Sequence, residues 1–209
     1  MEFNDGLRFQ GYCGDCWAFS ATEQIESDLM RTAATTLILS PQQINQCDLT
    51  SYGCGGGWTS DAYDYVTTAG GLSSNALYPY STTTYDGTTG TCTTNTADYV
   101  ATVSGYTYVS GEATMAAYVQ STGPLSVCID ATLWNSYVGG IMTVCGSSVD
   151  HCVQAVGVYP VTGGTGYWKV RNSWDATWGE SGFIRLVYGA NTCAITTEAT
   201  YATVSLVAR

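Results

Sequence analysis

The sequence predicts an α+β fold, with a mainly helical first half and a mainly stranded second half. Three observations carry that prediction. Phe19, Ala21, Ile25, Leu29 and Met30 fall near helical spacing in a stretch without Gly or Pro. Helix-cap signatures punctuate the residues that follow. Beyond Gly123-Pro124, short apolar runs alternate with Gly-rich turns. A chain of 209 residues can bury a substantial core as one compact unit or two intimate lobes.

The elements follow in order. Residues 16–31 form the first helix. Ser40-Pro41-Gln42-Gln43 starts a second, with Ser at the N-cap, Pro at N1 and Gln at N3 completing a capping box. Residues 60–68 form a third short helix, ended by Gly70-Gly71. Residues 81–96, rich in Thr, Ser and Gly, read as a polar loop. Residues 112–121 are helical again. Strands are expected at 125–130, 152–159, 166–172, 182–187 and 200–206, each bounded by turn residues.

Composition narrows the function classes. Six Lys and Arg against 17 Asp and Glu leave a net charge of −11, which argues against nucleic acid or an anionic membrane as partner. Nine cysteines indicate an oxidising compartment. An acidic surface is partly neutralised at low pH, as in a lysosome, a vacuole or an acidic secretion. No apolar run is long enough to span a bilayer, and no basic segment followed by an apolar one opens the chain.

The most informative run is Gln10-Gly11-Tyr12-Cys13-Gly14-Asp15-Cys16-Trp17-Ala18-Phe19-Ser20. It places Cys16 in the first turn of a helix, where the partial positive charge of the helix N-terminus favours thiolate over thiol. The thiolate is the nucleophilic form. Two other readings of Cys13 and Cys16 exist. A redox Cys-x-x-Cys pair follows a buried strand, and residues 7–12 show none. A zinc site needs a second Cys or His pair at matching spacing, and the single histidine, His151, stands far off beside Cys152.

Here the chain resembles the papain-like cysteine proteases. It matches their C-G-[SA]-C-[WY] signature except for Asp15 in the Ser/Ala slot. Residues 149–157, around His151, resemble the family's histidine strand. Arg171-Asn172-Ser173-Trp174 and Trp178-Gly179-Glu180-Ser181-Gly182 resemble its asparagine segment. Cys54-Gly55-Gly56-Gly57 and Tyr78-Pro79-Tyr80 match further motifs. His151 and Asn172 follow Cys16 at or just above the spacing of roughly 130–150 residues seen in the family. The likeness covers the chain from about Gln10 to its end.

That resemblance implies a two-lobe papain-like fold in a single peptidase domain. A helical lobe would span about 10–105 and a β-barrel-like lobe 106–209, with the active site in the cleft between. It implies endopeptidase action without cofactor or metal. Cys16 would be the nucleophile and His151 the proton donor to the leaving amine. Asn172 would orient the imidazole, with Trp174 shielding their hydrogen bond. Gln10 would join the Cys16 N–H in the oxyanion hole. Gly56, Gly57 and Asp150 would contact substrate. The second subsite would be lined by Thr59, Ser60, Cys128, Val149 and Cys152, with Glu198 at its far end. Glu198 there would allow Arg as well as hydrophobic residues, against the alternative of an ordinary surface Glu. Histidines of an occluding loop, which give some relatives carboxydipeptidase action, are lacking because His151 is the sole histidine.

The same resemblance pairs Cys13 with Cys54, Cys47 with Cys92 and Cys145 with Cys193. Cys128 and Cys152 stand outside the common pattern. A fourth bridge and two separate buried thiols are both open, and an oxidising compartment favours the bridge. Implied partners are protein or peptide substrates, a pro-segment and cystatin-like inhibitors, with the chain acting as a monomer in a lysosome or vacuole or after secretion. Three departures stand out. Asp175 occupies a position where Gly is usual. Asp15 adds a negative charge that would raise the Cys16 pKa. The stretch before Gln10 is short, lacks an Asp-Trp-Arg segment and opens on Met1-Glu2-Phe3, which reads as an expression remnant. Two other function classes stay in view: a catalytically silent storage or binding protein, and a thiol-disulfide oxidoreductase using Cys13 and Cys16.

Overall fold

The computed structural model describes residues 8–159 and 165–208; Met1-Glu2-Phe3 lies outside them. The chain divides into two compact units. One is Gln10–Thr107 with the C-terminal segment from Tyr201, and the other is Tyr108–Thr200 with Arg8 and Phe9, as far as the described residues go.

The first unit is built on α1 (Cys16–Ala33), which packs against α2 (Pro41–Cys47) and α3 (Thr59–Ala69). Every residue of α1 from Cys16 to Leu29 is buried, polar ones included. Burial on all sides requires its polar side chains to find partners inside. Asp28 accepts from Gln24 Nε2 and from the Ala202 N–H, both at 3.0 Å, and Glu26 Oε1 accepts the Leu39 N–H at 2.6 Å. In α3 the buried residues Thr59, Ala62, Tyr63 and Val66 follow helical periodicity, and Gly70 ends the helix at φ 81°.

Ser40 caps α2 by accepting the Gln43 N–H at 3.0 Å. Only half of the expected capping box forms. The Gln43 side chain instead donates to Tyr65 and the Gly71 carbonyl and accepts the Ser73 N–H, while the Ser40 N–H goes to Ser73 O. A buried amide that ties three segments together replaces a local reciprocal bond. Ser73 lies in the short β1 (Leu72–Ser73), which pairs antiparallel with β2 (Tyr99–Tyr108). The stretch expected to be a polar loop contains one helical turn, α4 (Thr82–Tyr85), capped by Ser81.

In the second unit α5 (Glu112–Ser121) packs on a mixed sheet. Its strands are β3 (Leu125–Ile129), β4 (Ile141–Met142), β5 (His151–Tyr159), β6 (Tyr167–Arg171), β7 (Phe183–Val187) and the start of β8 (Glu198–Leu206). β3 lies between β8 and β5, followed by β6 and β7, all antiparallel; β4 closes the row parallel to β7. Glu112 fastens the helix to its surroundings, accepting from Trp168 Nε1 at 2.8 Å and from the N–H groups of Gly189 and Asn191. The whole is an α+β fold.

Candidate active site

Residues 10–15 deliver the chain to α1 under tight constraint. Cys13 is disulfide-bonded to Cys54. The Gly14 N–H donates to Cys54 O at 3.0 Å, and a Cβ on Gly14 would stand 2.6 Å from that oxygen, so only glycine fits. Gln10 is buried, its Nε2 donating to Cys13 O at 2.8 Å. Cys16 then opens α1 at the positive end of the helix dipole, 8% exposed, and keeps its thiol. The other eight cysteines form four disulfides: Cys13–Cys54, Cys47–Cys92, Cys128–Cys152 and Cys145–Cys193.

Asp15, in the N-cap position, makes no side-chain cap bond. Its carboxyl is fully buried and meets Tyr80, and burial pushes its pKa up to about 8. Burial thus opposes the negative charge next to Cys16 that the sequence leads one to expect. Gly56 and Gly57 are half-buried in the same unit, and a Cβ on Gly57 would collide with Ser51 and Trp17 at 2.5–2.7 Å. Thr59, buried, and Ser60, half-buried, begin α3.

His151, buried, is the first residue of β5, and its Nε2 lies 2.7 Å from Asn172 Oδ1. The Ser173 N–H donates to the same oxygen at 2.8 Å. That second donor identifies the atom as the amide oxygen, so Nε2 carries the hydrogen and Nδ1 is left for proton exchange. Trp174 lies over the imidazole with ring centroids 4.9 Å apart, and Trp134 meets it edge-on at 6.1 Å. Trp134 stacks in turn on Trp178. Burial lowers the His151 pKa, opposed by the Asn172 bond and by the negative charge of Asp150.

The strand register gathers three of the predicted subsite residues. Glu198 in β8 pairs with Cys128 in β3, which pairs with Cys152 in β5 and is disulfide-bonded to it. Directly paired residues project from one face of a sheet. Glu198 is 8% exposed, unlike an ordinary surface Glu. Val149 is half-buried and Asp150 exposed, its Oδ1 accepting the Ala131 N–H at 2.7 Å. Sequence reasoning missed Trp134, which opens a single 3-10 turn (Trp134–Ser136) too short to show periodicity, and noted Tyr80 only as part of a motif.

A sequence model of the papain family cysteine proteases matches residues 5–203. The chain belongs to that family. Among its relatives, digestive cysteine proteinase 1 of Homarus americanus is 39% identical over 209 residues, covering 95% of this chain and 63% of the relative. Cysteine proteinase 2 of Leishmania pifanoi is 37% identical over 195 residues, covering 90% of this chain and 43% of the relative. The chain thus spans about half the length of the curated relatives it matches. Family membership extends to solved structures. The bromelain protease of Ananas comosus in complex with the E64 inhibitor superposes with TM-score 0.87 at 34% identity, covering 97% of each chain. Digestive procathepsin L 3 of Tenebrio molitor superposes with TM-score 0.85 at 33% identity, over 94% of this chain and 66% of that one.

Proposed function

We propose that the chain is a cysteine endopeptidase. Cys16 attacks the carbonyl carbon of a peptide bond, His151 passes a proton from Nδ1 to the leaving amine, and water hydrolyses the acyl-enzyme. The observation that carries this reading is the sorting of the cysteines: eight are paired, and the ninth keeps its thiol as the first residue of a buried helix. Asn172 holds the tautomer that leaves Nδ1 for the exchange. A thiolate at Cys16 opposes the effect of burial on His151 by favouring the imidazolium. Gln10 and the Cys16 N–H serve as oxyanion donors, each worth about 2.7–4 kcal/mol in the transition state. The oxidoreductase alternative needs Cys13 to exchange with Cys16, whereas Cys13 is bonded to Cys54.

For substrates, the reading assigns hydrophobic and Arg residues to a second subsite whose wall includes the Cys128–Cys152 bridge and Glu198. Support comes from the buried carboxylate in register with that bridge. If Glu198→Ala leaves the ratio of Arg-Arg to Phe-Arg substrate cleavage unchanged, that assignment is wrong. A pro-segment and cystatin-like inhibitors are the proposed partners of a monomer working in a lysosome, in a vacuole or after secretion. The deciding experiment is cleavage of a fluorogenic Phe-Arg dipeptide amide from pH 4 to 8 under mild thiol, beside Cys16→Ser. Activity lost in the variant supports the reading. Silence in both, from folded protein, overturns it.

A further inference from the structure

Tyr80 Oη has more acceptors than its one proton can serve. It lies 2.9 Å from Gln10 O, 2.9 Å from Asp15 Oδ2 and 3.1 Å from Asp15 Oδ1. A phenol has one O–H to donate. Were Asp15 ionised, the one phenol hydrogen would go either to the carboxylate or to the Gln10 carbonyl, and the Tyr80 oxygen would meet the remaining one lone pair to lone pair. A proton on Asp15 resolves the conflict: one carboxyl oxygen donates to Tyr80 Oη, and Tyr80 donates to Gln10 O.

The setting is built for such a relay. The Asp15 side chain is fully buried. The Tyr80 ring packs edge-on against Phe19 of α1 with centroids 5.1 Å apart. The next residue, Ser81, caps α4 and donates its N–H to Gln42 Oε1 at 3.1 Å, so the backbone at Tyr80 is fixed. The carboxyl has Tyr80 against it from the segment before α4, and Cys16 is the next residue along the chain. Among the described residues, Tyr80 is the one titratable side chain that hydrogen-bonds to it.

We propose that Asp15 and Tyr80 are positioning residues: the chain from the Asp15 carboxyl through the Tyr80 hydroxyl to the Gln10 carbonyl clamps the oxyanion glutamine to the helix start that bears the nucleophile. This rests on the roles given to Cys16 and Gln10 above. The relay ties the backbone of those two residues together and keeps the residue before Cys16 uncharged. It also explains how Asp stands where the family signature has Ser or Ala: as a neutral acid it is a hydrogen-bond donor like Ser. Burial raises its pKa to about 8, in accord with the proton count, and the pKa of Tyr80 is raised too, so the phenol keeps its hydrogen.

The test uses Tyr80→Phe, Asp15→Asn and Asp15→Ala with the peptide amide substrate and infrared spectroscopy. Tyr80→Phe should lower kcat roughly 10-fold with KM little changed, less than the 10²–10³ of deleting an oxyanion donor outright. The Asn amide N–H can replace the acid O–H as donor to Tyr80. Asp15→Asn should therefore recover most of what Asp15→Ala loses. It should also remove an alkaline fall in kcat centred near the Asp15 pKa of about 8. The infrared spectrum at pH 6 should hold a protonated-carboxyl C=O stretch that Asp15→Asn lacks and Tyr80→Phe shifts. Wild-type kcat in Tyr80→Phe, or Asp15→Asn as impaired as Asp15→Ala, overturns the proposal. Absence of the carboxyl band overturns the relay even if Tyr80→Phe fails to fold. A wild-type chain that cleaves no peptide overturns the peptidase reading and the positioning role with it, while the band still decides the proton.

Discussion

The two units bury their polar chemistry in different ways. At Asp15, the residue before Cys16 in the unit of Gln10–Thr107, the partner is a phenol, and burial pushes the acid's pKa up to about 8. Around His151, in the unit of Tyr108–Thr200, the partners are indole rings and one amide oxygen, and burial pushes a base down toward neutrality. Desolvation acts in both places and always against charge, so it moves acids and bases in opposite directions. On the reading proposed above, the residue before the nucleophile is held without charge, and a thiolate at Cys16 would be what charges the imidazole.

The largest effect expected from breaking this contrast is at His151. His151→Ala should lower kcat/KM by about 10²–10⁴-fold or more, the range for a lost acid–base group, with the fold checked by near-ultraviolet circular dichroism. Because His151 is the sole histidine, its ring protons also give an unambiguous titration by NMR. Cys16→Ser should lower that pKa relative to wild type, since removing the thiolate leaves burial in command. An unchanged value would mean that Cys16 and His151 do not share charge.

Stability against pH sharpens the comparison further. Asp15 has a folded pKa raised to about 8 from an ordinary 3.8. Its contribution is fully present below the unfolded value and is lost as pH rises through about 8. The folded pKa of His151 is lowered, so its contribution is present above the ordinary 6.5 and is lost as pH falls below it. Asp15→Asn should therefore flatten the loss of Tm between pH 5 and pH 8, an effect on the order of a few kcal/mol. His151→Asn should flatten the acid side instead. Asp28, also raised by burial, remains in both variants.

Much of this was legible in the sequence, because its signals are local. The helix over 16–31, its cysteine at the first turn, the Ser40 cap and the helix over 112–121 all depend on neighbours within a few residues, and the structure places each within two residues of expectation. β2 was not read, although Tyr99, Ala101 and Val103 alternate as buried residues in a half-exposed strand; the surrounding helical half hid a period-two pattern. The partners of Gln43, and of Asp15 with Tyr80, were illegible for another reason. Each bond joins residues tens of positions apart, and no local rule says which distant group will take a buried proton.

Removing Glu112 tests a carboxylate that ties α5 to the chain around it. Glu112→Ala strands the buried Trp168 indole N–H and frees the N–H groups of Gly189 and Asn191, a loss of about 1–3 kcal/mol. The smallest effect belongs to the pair that both units' logic leaves aside. Arg185 meets Glu180 through Nε at 2.8 Å and also through Nη2, with both side chains about one-third exposed. Water screens the pair, and holding two long side chains in one geometry costs entropy, so such pairs contribute about 0.2–1 kcal/mol. Glu180 also accepts the Gly140 N–H at 2.9 Å, a bond that Gln can keep through its carbonyl oxygen. Glu180→Gln should therefore cost less than about 1 kcal/mol in urea unfolding at low salt, and almost nothing at high salt, where screening removes what the charge adds. A larger, salt-independent loss would mean that this exposed pair behaves like the buried groups, and that exposure is not what separates strong polar contacts from weak ones in this chain.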